Sequence, residues 1–324
     1  MEKKIILTNS SLSDSDRHEL ETIETSGFIV RHLDEIKENE LSKVEILLFE
    51  RGEEWLTPER FRSMDSLRLF QNISAGVDHL DFGIIPEKVI VCGNVGAYGE
   101  QIAEYVFAAF LYYSKNLKVY DADLRRGNYL KEPLPVFMKG KTVGILGTGG
   151  IGNEVARLAK AFGMRTLGIN TSGNLVDNFD SVSTLEEVDD LLSQSDFLVV
   201  SLPLTNKTRN LLDSRRLGLL KEACVVVNVA RGAIIEKEAL YAHLKLHPQT
   251  KAAIDVWWKY PKQGEKFTQG LPFFDLPNFL GSPHISGDVV ESMGVAMKMA
   301  IENIEHFARN EPLKGVMDRK EYSK

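Results

Sequence analysis

The sequence predicts an α/β protein of two Rossmann-like domains, one discontinuous and the other, doubly wound, inserted into it. Three observations lead there. Short apolar, strand-like runs alternate with helical stretches along most of the chain. A glycine-rich turn in KTVGILGTGGIGNEVARLAKAFG stands between a strand pattern and a helix pattern. A long apolar helical stretch at 100–118 is matched by a second, SGDVVESMGVAMKMAIENIEHFARN, which should carry the chain back to the first domain. The expected division is residues 1–98, completed by 290–324, and an inserted domain at 99–289.

The elements follow in order. KKIILTN reads as a strand, and SLSDSD as a turn and helix cap opening a helix to about Ser26. GFIV, VEILLF, LRLFQNIS and VIVCG are further short β-rich runs, which suggests a largely parallel first sheet. The aromatic-rich helix at 100–118 is apolar on most of its circumference, as a helix lying between domains would be. A long non-strand connection with two prolines follows it. TVGIL, a helix at 151–162 and RTLGIN then form a βαβ unit. After it come helix 184–192, strand FLVVSL, helix 213–220, strand CVVVNV, helix 236–245, strand AAIDVW and a last short strand in LPNFLGSPHISG.

Composition narrows the function. The 324 residues are enough for about two domains. A net charge of −7 without any concentrated basic run argues against nucleic acid as partner. The two cysteines, Cys92 and Cys224, sit in apolar runs and read as small buried hydrophobes. No metal is expected. The start MEKKIILTNS has no apolar stretch of signal-peptide length, and IAEYVFAAFLYYSKN is too short and interrupted for a bilayer span. The expectation is a cytoplasmic protein with no membrane partner.

In the glycine-rich turn, Gly147 permits a tight turn, Gly149 lets backbone approach a pyrophosphate at the helix N-terminus, and Gly152 allows close helix–strand packing. Gly150 and Ile151 supply the first helical amides. The carboxylate that often grips the adenosine ribose would stand about 20 residues on. Asn170 occupies that place, followed by Thr171 and Ser172. Nothing there repels a 2′-phosphate, and no Lys or Arg lies in 170–180 to hold one. NAD and NADP both stay open, with a slight lean to NADP.

With these motifs in hand, the sequence resembles the D-isomer-specific 2-hydroxyacid dehydrogenase family. The resemblance runs from SAGVDHLD at 74–81 through VGILGTGGIG and SDFLVVSLPLTNKTRNLLDSRRLGLLKEACVVVNVARGAIIEKEAL to AIDVW and LPNFLGSPHISG. It implies reversible hydride transfer between a nicotinamide and C2 of a small 2-oxo or 2-hydroxy acid. The discontinuous domain would then bind substrate and the inserted one the dinucleotide. Arg231 would be the catalytic arginine, since a guanidinium fork matches a carboxylate and the adjoining carbonyl. His284 would be the acid/base, and Asp255 would meet the nicotinamide carboxamide. Leu202, Pro203, Thr208, Val229 and Ala230 should line the cofactor, largely through backbone. Ala75, Gly76 and Val77 match a loop whose amides receive the substrate carboxylate. Tyr98 is expected to face the cleft, and Arg51 to reach a substrate's far end. A homodimer is implied, through the 100–118 helix and the 119–140 connection.

The pattern breaks at Tyr260. Most of the family places a glutamate there, hydrogen-bonded to the histidine. A carboxylate favours imidazolium by its charge, and a neutral phenol does not. Carbonyl reduction is therefore expected to fall off at lower pH than in a carboxylate-bearing relative. Either Tyr260 partners His284, or another acid, Glu265 or Asp288, approaches it, or the site is degenerate. The alternatives to a 2-oxoacid reductase are a formate dehydrogenase and a weakly active, dinucleotide-sensing protein.

Overall fold

A computed structural model describes residues 3–23, 27–50, 52–262 and 264–322. The first elements along the chain are β1 (Lys4–Thr8), α1 (Asp14–Thr22), β2 (Phe28–His32), β3 (Val44–Phe49), α2 (Pro58–Ser63), β4 (Leu69–Asn72) and β5 (Ile90–Cys92). Next come α3 (Gly99–Ser114), α4 (Leu117–Arg125), β6 (Thr142–Leu146), α5 (Gly150–Ala161), β7 (Arg165–Ile169), β8 (Ser181–Ser183), α6 (Val188–Gln194) and β9 (Phe197–Val200). The rest are α7 (Ser214–Leu217), β10 (Val225–Asn228), α8 (Lys237–Leu246), β11 (Lys251–Ile254), β12 (Phe279–Gly281) and α9 (Ser292–Ala308). The chain divides into two compact units, Met1–Tyr98 with Val290–Lys324, and Gly99–Val289.

The first unit is a parallel sheet in the order β2-β1-β3-β4-β5. A parallel sheet is covered on both faces, so its central strands are apolar without alternation. All six residues of β3, VEILLF, are buried. Glu45 within it is offset by Lys4, 2.7 Å away. One face packs Leu7, Leu47, Phe49 and Phe70 against Leu41, Phe61 and Leu67. The other packs Ile6, Ile46 and Leu48 against Leu20 of α1 and Ala300, Ile301 and Ile304 of α9. The SLSDSD cluster does cap α1: Ser13 and Asp16 exchange backbone-to-side-chain bonds of 3.1 and 3.2 Å. The helix ends at Thr22 with Ile23 as a non-helical cap, and the rest of the stretch expected to Ser26, residues 24–26, lies outside the described residues.

The second unit is a seven-stranded parallel sheet, β12-β11-β10-β9-β6-β7-β8. Counted from β6 this is the doubly wound dinucleotide-fold order with one further strand, and the order reverses between β6 and β9. One core layer joins Leu146, Val200, Val226, Ile254 and Phe279 of the strands to Leu240 and Leu244 of α8. α3 lies on α5 and β10, and its Phe110 meets Phe197 at 4.7 Å between ring centroids.

Three elements differ from expectation. The 100–118 helix is two helices, broken at Asn116, which turns left-handed at φ 52°. Asparagine tolerates that region better than most residues, and its amide is held by the Pro133 carbonyl at 3.1 Å. The following connection is therefore helical as far as Arg125. The helix expected at 213–220 shortens to Ser214–Leu217, with Asp213 capping the Arg216 amide at 2.8 Å. β8, SVS, is a short polar edge strand without an apolar pattern to announce it.

Candidate active site

At the β6/β9 reversal the glycine-rich turn has a steric logic of its own. Gly147 adopts φ +104°, and a Cβ there would sit 2.9 Å from the Ser201 carbonyl. A Cβ on Gly152 would lie 1.8 Å from the Gly147 carbonyl oxygen. Gly149, the N-cap of α5, has open space where its Cβ would be. The first-turn amides of Gly150, Ile151 and Gly152 belong to the four that an α-helix leaves without an internal acceptor. Walls of backbone, open space and a helix N-terminus together fit a pyrophosphate.

At the end of β7, Asn170 is the organiser of its own loop. Its Oδ1 accepts from the amides of Ser172 (3.1 Å) and Gly173 (2.7 Å). Its Nδ2 donates to Thr148 Oγ1 (3.0 Å) and the Asn174 carbonyl (3.1 Å). With donors and acceptor committed, Asn170 shapes the turn, and Thr171 and Ser172 are among the exposed groups of this loop. Thr208 is likewise turned inward: its hydroxyl donates to Pro203 O (2.6 Å) and accepts from Thr205 N (2.8 Å). It braces the Leu202–Pro203 segment after β9. Leu202, Val229 and Ala230 have buried side chains. That leaves backbone as what they can offer a ligand.

Three neighbouring strands deliver the chemical groups. β10, β11 and β12 are adjacent and parallel, and from their C-terminal ends come Arg231, Asp255 and His284. Asn228 closes β10 and builds the arginine's turn, accepting from Ala230 N and donating to Arg231 O, each at 3.0 Å. Arg231 is half-buried, and its guanidinium donates to the Ala230 carbonyl at 2.7 Å. Gly232 must be glycine, because a Cβ would meet Trp257 backbone at 2.4 Å.

Asp255 is fully buried, and its carboxylate is occupied by the histidine's turn. Oδ1 accepts from Ile285 N (2.9 Å) and the Ser282 hydroxyl, and Oδ2 accepts from Ser286 N (2.9 Å). Asp255 thereby clamps the turn on which His284 stands left-handed at φ 59°. A non-glycine residue holds that conformation only when its surroundings impose it. Tyr105 of α3 joins the clamp, 2.6 Å from Ser282 Oγ. Ser282 donates to a carboxylate, so Tyr105 donates to Ser282. Burial, with the Asp255 charge adding, pushes the Tyr105 phenol up from its ordinary range. Trp257 Nε1 completes the frame with a 2.8 Å bond to the Ser282 carbonyl.

Tyr260 lies against His284, ring centroids 5.5 Å apart, and its hydroxyl accepts from Trp257 N at 3.1 Å. Of the two alternative acids, Glu265 accepts from Lys262 N at 3.2 Å and Asp288 is exposed. Tyr260 is a ring neighbour of His284.

In the first unit, Ala75, Gly76 and Val77 follow β4 in a loop whose backbone amides have no acceptor among the described residues. Tyr98 packs beside that sheet's core, with its hydroxyl 3.5 Å from the Ile73 carbonyl. Arg51 lies outside the described residues. Cys92 and Cys224 are buried and free, and burial pushes the Cys92 thiol up to about 11. The expectation of no metal also took the seven histidines to include no HxxxH pair, and that is corrected: His243 and His247, spaced HLKLH, form one at the end of α8. Their rings stack at 4.4 Å, and burial pushes His243 down to about 4. Among the described residues no three metal-ligating side chains cluster. Nor is any helix long and apolar enough to cross a membrane.

Comparison with known proteins identifies the family. Residues 107–286 match the family model described as D-isomer specific 2-hydroxyacid dehydrogenase, NAD binding domain. The chain is 31% identical over 264 residues to the glyoxylate reductase of Aeropyrum pernix, covering 78% of this chain and 77% of that one. It is 29% identical over 288 residues to the D-3-phosphoglycerate dehydrogenase of Methanocaldococcus jannaschii, covering 87% of this chain but only 54% of that longer protein. The solved structure of a glycerate dehydrogenase related protein from Thermoplasma acidophilum superposes with a TM-score of 0.65 at 32% identity, over 94% of this chain and 99% of that one. The chain belongs to the D-isomer-specific 2-hydroxyacid dehydrogenases, NAD(P)-dependent oxidoreductases of 2-oxo and 2-hydroxy acids.

Proposed function

We propose that this protein reduces a small 2-oxo acid of the glyoxylate, hydroxypyruvate or phosphohydroxypyruvate kind. The observation that carries this is the placement of Arg231 and His284 on one edge of one sheet, by strands β10 and β12, with the glycine-rich turn at that sheet's switch point. A bound dihydronicotinamide would supply the hydride to C2. Arg231 holds the substrate carboxylate and the carbonyl oxygen, and stabilises charge developing on that oxygen. His284 gives its proton to the same oxygen as the carbonyl becomes a hydroxyl, and takes it back in the reverse direction. Ala75, Gly76 and Val77 receive the carboxylate through backbone amides. The glycine turn receives the pyrophosphate, and Leu202, Pro203, Val229 and Ala230 offer backbone along the cofactor.

We lean to NADP on the composition of the ribose loop, where Thr148, Thr171 and Ser172 offer hydroxyls and no carboxylate stands at position 170. A homodimer through α3, α4 and the connection to β6 is supported by exposed apolar side chains there: Leu124, Tyr129, Leu130, Leu134 and Phe137. The buried free thiols suit the reducing cytoplasm.

The deciding experiment follows oxidation of NADH and NADPH with glyoxylate, hydroxypyruvate, pyruvate and phosphohydroxypyruvate. Turnover of at least one acid, faster with NADPH, is expected. Tight dinucleotide binding without turnover of any of them overturns the reading.

A further inference from the structure

Asn72, the last residue of β4, is fully buried and has no role in the functional reading so far. Its Nδ2 donates to two carbonyls of the loop that follows, Ser74 O and Gly76 O, each at 2.9 Å. Its Oδ1 is buried without a donor among the described residues. Both amide hydrogens are thus used on this loop. Flipping the amide would set its oxygen against two carbonyl oxygens.

The consequence follows from peptide geometry. In a trans peptide the C=O and N–H point in opposite directions. The one cis bond among the described residues is elsewhere, at Glu132–Pro133. Drawing Ser74 O and Gly76 O toward Asn72 therefore turns Ala75 N–H and Val77 N–H away from it, on the same side of the loop. Neither amide has an acceptor among the described residues. The loop is braced from behind as well. Asn94 N donates to Ser74 O at 3.0 Å, and Asn94 Nδ2 donates to Ile73 O at 3.0 Å and Ala296 O at 2.7 Å. Gly93 leaves room for the Ala75 carbonyl, which a Cβ would approach to 2.4 Å. A buried acceptor left unpaired costs the fold stability, so packing alone does not account for an asparagine here.

We propose that Asn72 is a positioning residue, which sets the Ala75 and Val77 amides as a two-donor cradle for the carboxylate of the acid substrate. The proposal rests on the functional reading that this loop receives substrate. Asn72 touches no reacting atom; its effect is on how the acid is held.

The test is Asn72→Asp, which keeps the shape and removes both donors, with Asn72→Ser as a second variant that keeps one. Three quantities are read in the full chain: steady-state constants with glyoxylate, the Kd of NADPH, and amide shifts of Ala75 and Val77 on adding glyoxylate to 15N-labelled protein. Expected are a KM for glyoxylate raised about tenfold or more with kcat changed about threefold or less, and an unchanged Kd for NADPH. Glyoxylate should shift both amides in the parent and neither in Asn72→Asp. A folded variant of either kind with the parent KM overturns the proposal, as does a parent whose two amides ignore glyoxylate. If the parent turns over no acid yet its amides shift in an Asn72-dependent way, the cradle stands and the reductase reading falls.

Discussion

Replacing Tyr260 by glutamate restores the carboxylate that most of the family carries beside the histidine, and its effect can be worked from the structure. The rings of Tyr260 and His284 are 5.5 Å apart. At that separation a carboxylate and an imidazolium attract by about 3 kcal/mol at an effective dielectric near 20, and by about 0.8 kcal/mol in bulk water. Tyr260 is 44% exposed, so solvent screening pulls the value toward the lower end. An intermediate figure of about 1.4 kcal/mol corresponds to about one pH unit. The sign follows from the role of the group. Reduction needs imidazolium as the acid, and a neighbouring negative charge stabilises it, so activity should persist to higher pH. The assay is the pH profile of kcat/KM for glyoxylate reduction in the parent, Tyr260→Glu and Tyr260→Gln. The midpoint of the high-pH limb should rise by about one unit in the glutamate variant and stay in place in the glutamine variant. A limb unmoved in a folded, active Tyr260→Glu, or moved equally by glutamine, refutes either the role of His284 or its juxtaposition with Tyr260.

Other substitutions probe the remaining parts. Arg231→Lys keeps a charge and loses the fork, so kcat/KM should fall by about two to three orders of magnitude while NADPH affinity, measured by fluorescence, is retained. Gly152→Ala drives a methyl into the Gly147 carbonyl, and should cost about 3 kcal/mol of stability in denaturant titration along with dinucleotide binding. Asp255→Asn leaves one oxygen for a set of donors that now meets two, costing about 2 kcal/mol in the same titration and lowering kcat more than it raises KM. Phe137→Glu, in the exposed apolar connection, should convert the proposed dimer to a monomer by sedimentation velocity with little change in far-ultraviolet circular dichroism.

What the sequence discloses and what it hides divide along the range of the interactions. The glycine turn is readable because part of its demand is local: Gly147 and Gly152 sit five residues apart, and a Cβ on Gly152 would lie 1.8 Å from the Gly147 carbonyl oxygen. Arg231 is singled out by its place directly after a buried strand, whereas His284, one histidine in a Ser-Pro-His turn, is singled out only by the family resemblance. Asp255 is readable as a site residue, yet its partners are backbone amides 30 and 31 residues on, which no spacing rule connects to it. Tyr105 is further away still, 177 residues from Ser282, and in the sequence is one aromatic of an apolar helix. Asn72 looks like the end of a strand, because its function lies in which way two peptide planes face. Asn116 breaks a helix whose apolar pattern runs straight through it, and the backbone, not the pattern, records the turn.

The division of the chain has a consequence for its synthesis on the ribosome. The second unit, Gly99–Val289, is one uninterrupted stretch, and every strand of its sheet has emerged by Gly281. The first unit starts earlier and finishes later. Its five strands are made by Cys92, but Ala296, Ala300, Ile301 and Ile304, which cover one face of that sheet, follow only after the whole second unit. For the time it takes to translate some two hundred residues, about 10–40 s at ordinary elongation rates, Ile6, Ile46 and Leu48 lack their lid. The inserted unit can mature first, and the half-built sheet that precedes it is the part of the nascent chain with most need of a chaperone.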